Sequence, residues 1–370
     1  MCQKGLRLIV SGGGTGGHLF PGIAVAETFL ANAPGSSVLF IGTRRHTDMR
    51  VLTGRNFETA SIACQGLKGK SGSLRLKSLF QLPLSLLEAG RLIRKFKPDL
   101  VLGVGGYVTG PVLLAARLMG VTTCIQEQNS VPGLANRIIG KFVHRVFISF
   151  PNSEKYFPAG KCLLTGNPVR EELLDLAAAP EGDKVKRHGK TLLVLGGSLG
   201  AHRVNMMVAE ALKGAKRRLP DTFRVIHQTG KDDEQSVKTA YASLGLDAEV
   251  SAFFDDMARV YREADMVISR AGATTLAEMT VLGKPMILIP YPYAADDHQR
   301  TNGEYLEAGG AARMFLEKDL EPRKLADEIL LLLASEEKRK EMSEAARKLA
   351  RPDAVKVIVQ EIKASLCPGR

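Results

Sequence analysis

The sequence predicts an α/β protein with two doubly wound parallel sheets, each in its own domain. Short and nearly continuous apolar runs alternate with helix-length amphipathic segments along the chain, a pattern typical of parallel strands covered by helices on both faces. A chain of 370 residues is longer than a domain with a single hydrophobic core usually is, so two domains are expected. The order of motifs in the first half also recurs in the second half.

The predicted strands form one set in each half. In the first half they are residues 6–10, 37–41, 100–103, 122–126 and 146–149, and in the second half residues 191–195, 223–228, 248–253, 266–269 and 286–290. The first strand of each set runs into glycines, and Gly106 and Gly272 each lie seven positions after an aspartate. Because such sheets bind ligands beyond the carboxyl ends of their strands, we expect the site in a cleft between two similar domains.

Proline and glycine interrupt this pattern at two places, which predict the domain boundaries. The segment Thr165-Gly-Asn-Pro168 separates an N-terminal domain, residues 1–167, from a C-terminal domain, residues 168–352. Pro352 and Asp353 end one helix and start the last one, residues 353–370, which we expect to pack back on the N-terminal domain.

Residues 9–22 are the most informative segment, because an apolar strand runs into five glycines within six positions and His18 follows. Gly12, Gly14 and Gly17 match the spacing of a dinucleotide-binding turn. Glycines let the backbone approach a ligand closely, and the N–H groups at a helix start favour an anion. The segment predicts a bound diphosphate or sugar nucleotide; a tight strand–helix turn without a ligand is the alternative.

Two segments of the second half also indicate binding. Small residues precede a helix at residues 269–279, where a helix start offers N–H groups to an anion and Glu278 can accept bonds from two ribose hydroxyls. The alternative role for Glu278 is a first-turn charge that favours the helix dipole. Residues 290–302 form a polar cluster after a strand, typical of a binding loop; the alternative is a surface loop with Asp296 or Asp297 as helix cap.

Composition narrows the class of partner. The net charge of +12 favours anionic partners, whereas 6% aromatic residues and no Trp argue against nucleic acid. Five widely spaced cysteines predict reduced thiols in a cytosolic protein. Without a signal peptide or an apolar run of spanning length, any membrane contact is expected to be peripheral. Leu79 and Phe80 begin an apolar segment with basic flanks that suits an anionic membrane surface; leucines facing the core are the alternative.

Six motifs, in order, resemble the MurG family, the peripheral membrane N-acetylglucosaminyltransferases of bacterial peptidoglycan synthesis in glycosyltransferase family 28. They are Gly13-Gly-Thr-Gly-Gly-His18, Gly105-Gly-Tyr-Val, Glu127-Gln-Asn129, Gly166-Asn-Pro-Val-Arg170, Gly196-Gly-Ser-Leu-Gly200 and Asp296-Asp-His-Gln299. The resemblance covers essentially the whole chain. It implies a GT-B fold with a deep inter-domain cleft, UDP-N-acetylglucosamine as donor, undecaprenyl-diphospho-muramoyl-pentapeptide (lipid I) as acceptor, lipid II as product and no cofactor. The implied location is the cytoplasmic face of the bacterial inner membrane.

The resemblance also implies site residues. The positions matched to the donor site are Thr15, Gly16, Gly17, Asn129, Arg170, Ser198, Phe254, Ala273, Thr274, Thr275, Leu276, Ala277, Glu278 and Gln299. Those matched to the acceptor or the membrane are Tyr107, Asn136, Leu79 and Phe80. Phe254 fits a backbone contact to the uracil. Gln126 departs from the histidine of some members, so we assign no proton transfer there.

As a mechanism we expect one inverting displacement, in which the acceptor 4-hydroxyl attacks the anomeric carbon as UDP leaves. His18 is the predicted base, since its ordinary pKa lies near 6.5 and a helix start keeps it neutral; orienting the glycine loop or an acceptor phosphate is the alternative. Glu127 is the second base candidate, or else a buried structural residue. Ser198, Arg170 and the helix start at residues 273–275 would stabilise the leaving diphosphate.

Two other functions are compatible with parts of the sequence. An NADP-dependent oxidoreductase would use the glycine turn and Arg44-Arg45, and a UDP-N-acetylglucosamine 2-epimerase would share the fold. The sequence holds no Asp-x-Asp, and its seven histidines show no ligand spacing, so no metal is predicted.

Overall fold

A computed structural model describes residues 5–44, 51–64, 72–179, 189–197 and 200–366, with the side chains of residues 72–81 excepted. The chain divides into two compact units. The first unit contains residues 1–170 and 351–370, and the second contains residues 171–350. The sequence placed the two divisions after residues 167 and 352.

The first unit contains a parallel sheet of seven strands in the order β3-β2-β1-β4-β5-β6-β7. The strands are β1 (Arg7–Gly12), β2 (Ser37–Thr43), β3 (Glu58–Ile62), β4 (Leu100–Gly105), β5 (Thr122–Glu127), β6 (Arg145–Ile148) and β7 (Cys162–Leu164). The helices between them are α1 (Gly16–Asn32), α2 (Gly72–Phe96), α3 (Thr109–Leu118) and α4 (Leu134–Gly140), with a 3-10 helix at Pro151–Tyr156.

The second unit contains a parallel sheet of six strands in the order β10-β9-β8-β11-β12-β13. Its strands are β8 (Thr191–Leu195), β9 (Arg224–Gln228), β10 (Asp247–Ser251), β11 (Met266–Ser269), β12 (Met286–Leu288) and β13 (Ala312–Met314). Its helices are α5 (Glu171–Ala178), α6 (His202–Ala215), α7 (Glu234–Ser243), α8 (Met257–Glu263), α9 (Ala273–Val281), α10 (His298–Ala308), α11 (Pro322–Ala334) and α12 (Glu336–Leu349). Short 3-10 helices lie at Lys216–Arg218, Ala295–Asp297 and Glu317–Asp319.

The predicted doubly wound class is confirmed, and all ten predicted strands are present within two residues of their expected bounds. Three further strands, β3, β7 and β13, lie at sheet edges. Central strands such as β1 and β8 are almost entirely buried, whereas β3 is half exposed and β7 and β13 have three residues each. β3 has too few apolar residues, and β7 and β13 are too short, to give the longer apolar runs by which the other strands were predicted.

Strand order reverses between β1 and β4 in the first sheet and between β8 and β11 in the second. A doubly wound sheet binds its ligand at this reversal, beyond the carboxyl ends of the strands. The glycine segments that follow β1 and β4, and those that follow β8 and β11, therefore lie at the reversal of their own sheet.

The last helix, α13 (Ala354–Leu366), completes the core of the first unit. Its buried face, with Ile358 at the centre, packs against α1 in one cluster that includes Ile23 and Phe29. Lys363 Nζ also donates to the carbonyl of Asn32, at the end of α1, over 2.7 Å. Among the described helices, none combines the length and the apolar character needed to cross a bilayer.

Removing one buried side chain from α13 is expected to destabilise the first unit. Ile358 is fully buried, so Ile358→Ala should lower the free energy of unfolding by about 2–5 kcal/mol through lost burial and the cavity left behind. Urea unfolding followed by circular dichroism measures the change. Gln360→Ala, on the exposed side of the same helix, is the matched control and should change stability by less than about 0.5 kcal/mol. Equal effects of the two substitutions would contradict the packing of α13 described above.

Candidate active site

The turn after β1 packs against the turn after β4 with no room for side chains between them. Gly14, Gly105 and Gly106 all have positive φ, at 94°, 105° and 84°. A Cβ on Gly106 would lie 2.2 Å from the carbonyl oxygen of Gly13. Only glycine can hold the backbone in this conformation at this distance. The two turns therefore form one rigid surface at the reversal of the first sheet.

His18 projects from the first turn of α1 onto this surface. Its backbone N–H donates to Thr15 O over 3.1 Å, and a Cβ on Gly105 would lie 2.5 Å from its Nδ1. Nδ1 lies 3.2 Å from Oε1 of the buried Gln128. Sequence reasoning did not single out Gln128, although it lies inside the quoted motif between Glu127 and Asn129.

Glu127, at the end of β5, is buried with 1% of its surface exposed. Its Oε1 accepts from Asn129 N at 2.9 Å and from Asn129 Nδ2 at 3.3 Å, while Oε2 accepts from Asn136 Nδ2 at 2.7 Å. Burial raises the pKa of this carboxyl, and the hydrogen bonds from both asparagines oppose the shift. Three residues expected at the site are thus joined through one carboxylate that ties the loop after β5 to α4.

Thr15 occupies the N-cap position of α1, and Gly16 and Gly17 are the first residues of that helix. Arg170 and Tyr107 are two further predicted residues of the first unit. The guanidinium of Arg170 lies 4.8 Å from the ring centroid of Phe20 on α1, a cation–π contact that fixes the direction of the charge. Tyr107 follows the turn after β4 with an exposed side chain, and its carbonyl accepts from Cys64 Sγ over 3.1 Å.

In the second unit, Glu278 lies on α9 with its carboxyl buried. Tyr261 Oη donates to Glu278 Oε2 over 3.0 Å. The first turn of α9 carries no acidic residue, so the interpretation of Glu278 as a first-turn charge is wrong. Ala273 and Leu276 are buried on the same helix, whereas Thr274, Thr275 and Ala277 are half-buried.

Phe254 and Gln299 both take part in hydrogen bonds that involve a loop backbone. Phe254 N donates to Oε1 of the buried Gln228 over 3.1 Å, and Gln299 Oε1 accepts from Tyr291 N over 3.0 Å. Asp297 occupies the N-cap position of α10 but its side chain makes no capping bond. Asp297 thus occupies the predicted cap position without making the expected capping bond, and both Asp296 and Asp297 have left-handed backbone, with φ of 54° and 55°.

An ion pair with both side chains 11% exposed supports this loop and was missed from the sequence. Arg270 Nη2 lies 2.6 Å from Glu317 Oε2, and Arg270 Nη1 donates to the carbonyls of Ile289 and Pro290, each over 3.1 Å. Its partners lie about twenty to fifty positions away along the chain, so no local pattern marked it.

Some predicted positions lie outside the described residues. These are Ser198 and Arg45, together with the side chains of Leu79 and Phe80. Arg44, which the oxidoreductase alternative required, forms an exposed ion pair in which its Nη2 lies 3.0 Å from Glu88 Oε1.

Comparisons with known proteins agree over nearly the whole chain. The family model for the glycosyltransferase family 28 N-terminal domain matches residues 8–148, and that for the C-terminal domain matches residues 191–358. A relative from Desulfotalea psychrophila is 49% identical over 95% of both chains, and one from Geobacter metallireducens is 47% identical over 97% of this chain and 99% of its own. Both are named UDP-N-acetylglucosamine–N-acetylmuramyl-(pentapeptide) pyrophosphoryl-undecaprenol N-acetylglucosamine transferase.

Solved structures agree with the family models. The crystal structure of Acinetobacter baumannii MurG has a TM-score of 0.76 and 31% identity, covering 97% of this chain and 99% of its own. A UDP-N-acetylglucosamine 2-epimerase structure from Listeria monocytogenes has a TM-score of 0.71 at 13% identity over 98% and 96% of the two chains, a likeness of fold alone. With both domain models matched and relatives near half identity, the chain belongs to glycosyltransferase family 28.

Proposed function

We propose that this protein transfers N-acetylglucosamine from UDP-N-acetylglucosamine to the 4-hydroxyl of the muramoyl sugar in lipid I, with inversion, giving lipid II. The observation that carries the proposal is the near-full-length identity of 47–49% to transferases named for this reaction. Glycine turns at the reversal of both sheets support it, since such turns accommodate the diphosphate of a sugar nucleotide.

For the donor, we assign the nucleoside to the second unit. The carboxyl of Glu278 is held by Tyr261 Oη, which orients it to receive the ribose hydroxyls. The backbone N–H of Phe254 donates to Gln228 Oε1, which fixes the backbone at this position. We assign this segment of backbone to the contact with the uracil. The α9 residues Ala273 to Ala277 and the loop residue Gln299 complete this part of the donor assignment.

Anion-binding groups for the leaving diphosphate come from helix starts and one fixed cation. The backbone N–H groups of Thr274 and Thr275 lie in the first turn of α9, and Arg170 has its guanidinium oriented by Phe20. Oriented N–H groups and a charged donor stabilise the negative charge that develops as UDP leaves. Ser198, Asn129 and residues 15–17 are assigned to the same substrate.

For the acceptor, we assign proton removal to His18. The imidazole lies at the rigid surface formed by the two glycine turns, where the 4-hydroxyl proton can pass to a ring nitrogen as the new bond forms. Glu127 accepts bonds on both oxygens from Asn129 and Asn136, and its burial leaves it a positioning role for these two amides. Asn136 and the exposed Tyr107 are assigned to the acceptor.

Membrane association is proposed for the face formed by α2, α3 and α4. Leu84 and Leu87 on α2 are 61% and 59% exposed, although leucines of an ordinary amphipathic helix turn to the core. α2 packs against α3 and α3 against α4. These helices add the exposed Leu118 and Ile138, and the exposed Phe142 lies two residues after α4. Exposed basic residues lie on the same elements or directly after them: Arg91, Arg94, Arg117 and Lys141. Such a surface suits anionic lipid headgroups at the cytoplasmic face of the inner membrane.

Release of UDP that depends on the acceptor tests the reaction. We expect release from UDP-N-acetylglucosamine only when a short-chain lipid I analogue is present. His18→Ala should lower kcat on the order of 10²–10⁴-fold, the usual contribution of a general base, and should leave donor binding unchanged. His144→Ala, at an exposed histidine of the same unit, is the matched control and should keep wild-type turnover.

Donor consumption that does not require an acceptor would contradict the transferase assignment and would indicate an epimerase. Acceptor-dependent turnover that survives in His18→Ala would retain the transferase but remove His18 as its base.

Glu278 is expected to contribute to nucleotide affinity through its charge. Glu278→Gln keeps the size of the side chain but removes the carboxylate, so UDP should bind about 10- to 100-fold more weakly by isothermal titration calorimetry, as expected for hydrogen bonds to a charged group. Glu341→Gln, at an exposed glutamate on α12, should bind UDP as the wild type does. Unchanged affinity in Glu278→Gln would remove this residue from the donor assignment.

Replacing two exposed leucines of α2 should weaken membrane binding without affecting the nucleotide. We expect the double variant Leu84→Ser, Leu87→Ser to bind phosphatidylglycerol vesicles roughly 10-fold or more weakly in co-sedimentation, because two apolar side chains no longer enter the interface. UDP affinity should not change. Leu331→Ser, at a leucine of the second unit that is 40% exposed, is the control; an equal loss there would show that the α2 face is not the contact.

A further inference from the structure

We infer that Gln128 is a positioning residue that holds His18 in the tautomer protonated at Nδ1, which makes Nε2 the proton acceptor. Its functional consequence rests on the proposed role of His18 as base. The inference itself concerns the state of the ring and follows from a row of buried amides whose directions are fixed one after another.

The row begins at Gln126, which is fully buried. Gln126 Nε2 donates to Ser149 Oγ over 3.0 Å and to Asn167 Oδ1 over 3.1 Å. Ser149 Oγ donates its hydrogen to the carbonyl of Glu127 over 2.9 Å, so it must accept from Gln126. An amide nitrogen only donates and an amide oxygen only accepts. The oxygen of Gln126 must therefore face the next member of the row.

Gln128 is that next member. Its Nε2 donates to Gln126 Oε1 and, over 2.7 Å, to the carbonyl of Val104. Reversing the amide would place its oxygen against these two acceptors, and an unsatisfied buried polar group is costly. With the nitrogen fixed, Gln128 Oε1 is directed at His18, where it lies 3.2 Å from Nδ1.

An oxygen that can only accept requires a proton on the ring nitrogen that it faces. Nδ1 of neutral His18 therefore carries the hydrogen, and the lone pair lies on Nε2. The backbone at Gly105 covers the Nδ1 edge of the ring, since a Cβ there would lie 2.5 Å from this nitrogen. The ring is thus held on one edge by contacts that define which nitrogen is basic.

The contact is compatible with the proton transfer that the function requires. When Nε2 takes the proton of the acceptor hydroxyl, both ring nitrogens carry hydrogen, and Gln128 Oε1 still accepts from Nδ1. The amide carries no charge, so the same contact orients the ring before and after the step. A histidine in water favours the opposite neutral tautomer, with the hydrogen on Nε2. In that tautomer Nε2 has no free lone pair and cannot accept the proton of the acceptor hydroxyl.

Nitrogen-15 spectra of the histidine rings in the full-length protein test the inference directly. At a pH of about 8, where histidine is ordinarily neutral, His18 should show a protonated Nδ1 and an unprotonated Nε2, its signals assigned by their loss in His18→Ala. His144 is an internal reference with the opposite tautomer, because Thr123 N donates to its Nδ1 over 3.0 Å. A protonated Nε2 in wild-type His18 would overturn the inference without any variant of Gln128.

Gln128→Met, which has similar volume but no acceptor for Nδ1–H, tests the cause. We expect the signals of His18 to move toward the tautomer protonated at Nε2, while those of His144 stay unchanged. kcat should fall about 5- to 10-fold, the value of one lost hydrogen bond, and the KM for the donor should stay the same. A merely structural residue would not change the tautomer.

Two outcomes separate this inference from the proposed function. If His18 keeps Nδ1–H in Gln128→Met, the inference is overturned. If the tautomer responds as expected but His18→Ala retains acceptor-dependent turnover, the inference stands and His18 is not the base.

Discussion

The close approach of two backbones, where β1 turns into α1 and β4 turns toward α3, is the constraint on which the first unit depends. A Cβ on Gly106 would lie 2.2 Å from Gly13 O, and one on Gly12 would lie 2.3 Å from Val104 Cγ2. The turns can meet only because side chains are absent. Their contact places His18 against Gly105 and within reach of Gln128, so the direction of a reactive group follows from a steric requirement.

The second unit meets the same constraint with different chemistry. A Cβ on Gly200 would lie 2.4 Å from Thr229 O, and one on Gly196 would lie 2.7 Å from Ala201 N, so the turn after β8 is also packed against backbone. Here the histidine at the helix start, His202 on α6, pairs with Asp233, with its Nδ1 2.6 Å from Asp233 Oδ1. The groups that we assign to the donor, the carboxyl of Glu278 and the backbone of Phe254, are held by Tyr261 and Gln228. Repeating one architecture therefore supplies two rigid sites, while the side chains that follow the turns decide what each one does.

The sequence predicted the features that depend on a local pattern of residue types. It did not predict those that depend on hydrogen bonds or ion pairs with residues distant along the chain. Buried central strands and the glycine turns are visible as runs of residue types, whereas the edge strand β3 has a mixed, half-exposed pattern that gives no such run. Glu127 was recognised by its motif, but its hydrogen bonds to Asn129 and Asn136 needed the fold. The same is true of Gln128 and Arg270, because their importance comes from distant carbonyls and carboxylates that no spacing reveals.

The packing of α13 against α1 has a consequence for how the chain acquires its structure during synthesis. Domains generally fold as they leave the ribosome, in order from the N-terminus. The second unit is one continuous segment, residues 171–350, whereas the first takes its last core residues, such as Ile358 and Ile362, from beyond it. The first unit is thus synthesised first but completes its folding last. Until α13 emerges, the apolar residues of α1 around Ile23 and Phe29 stay uncovered in the nascent protein.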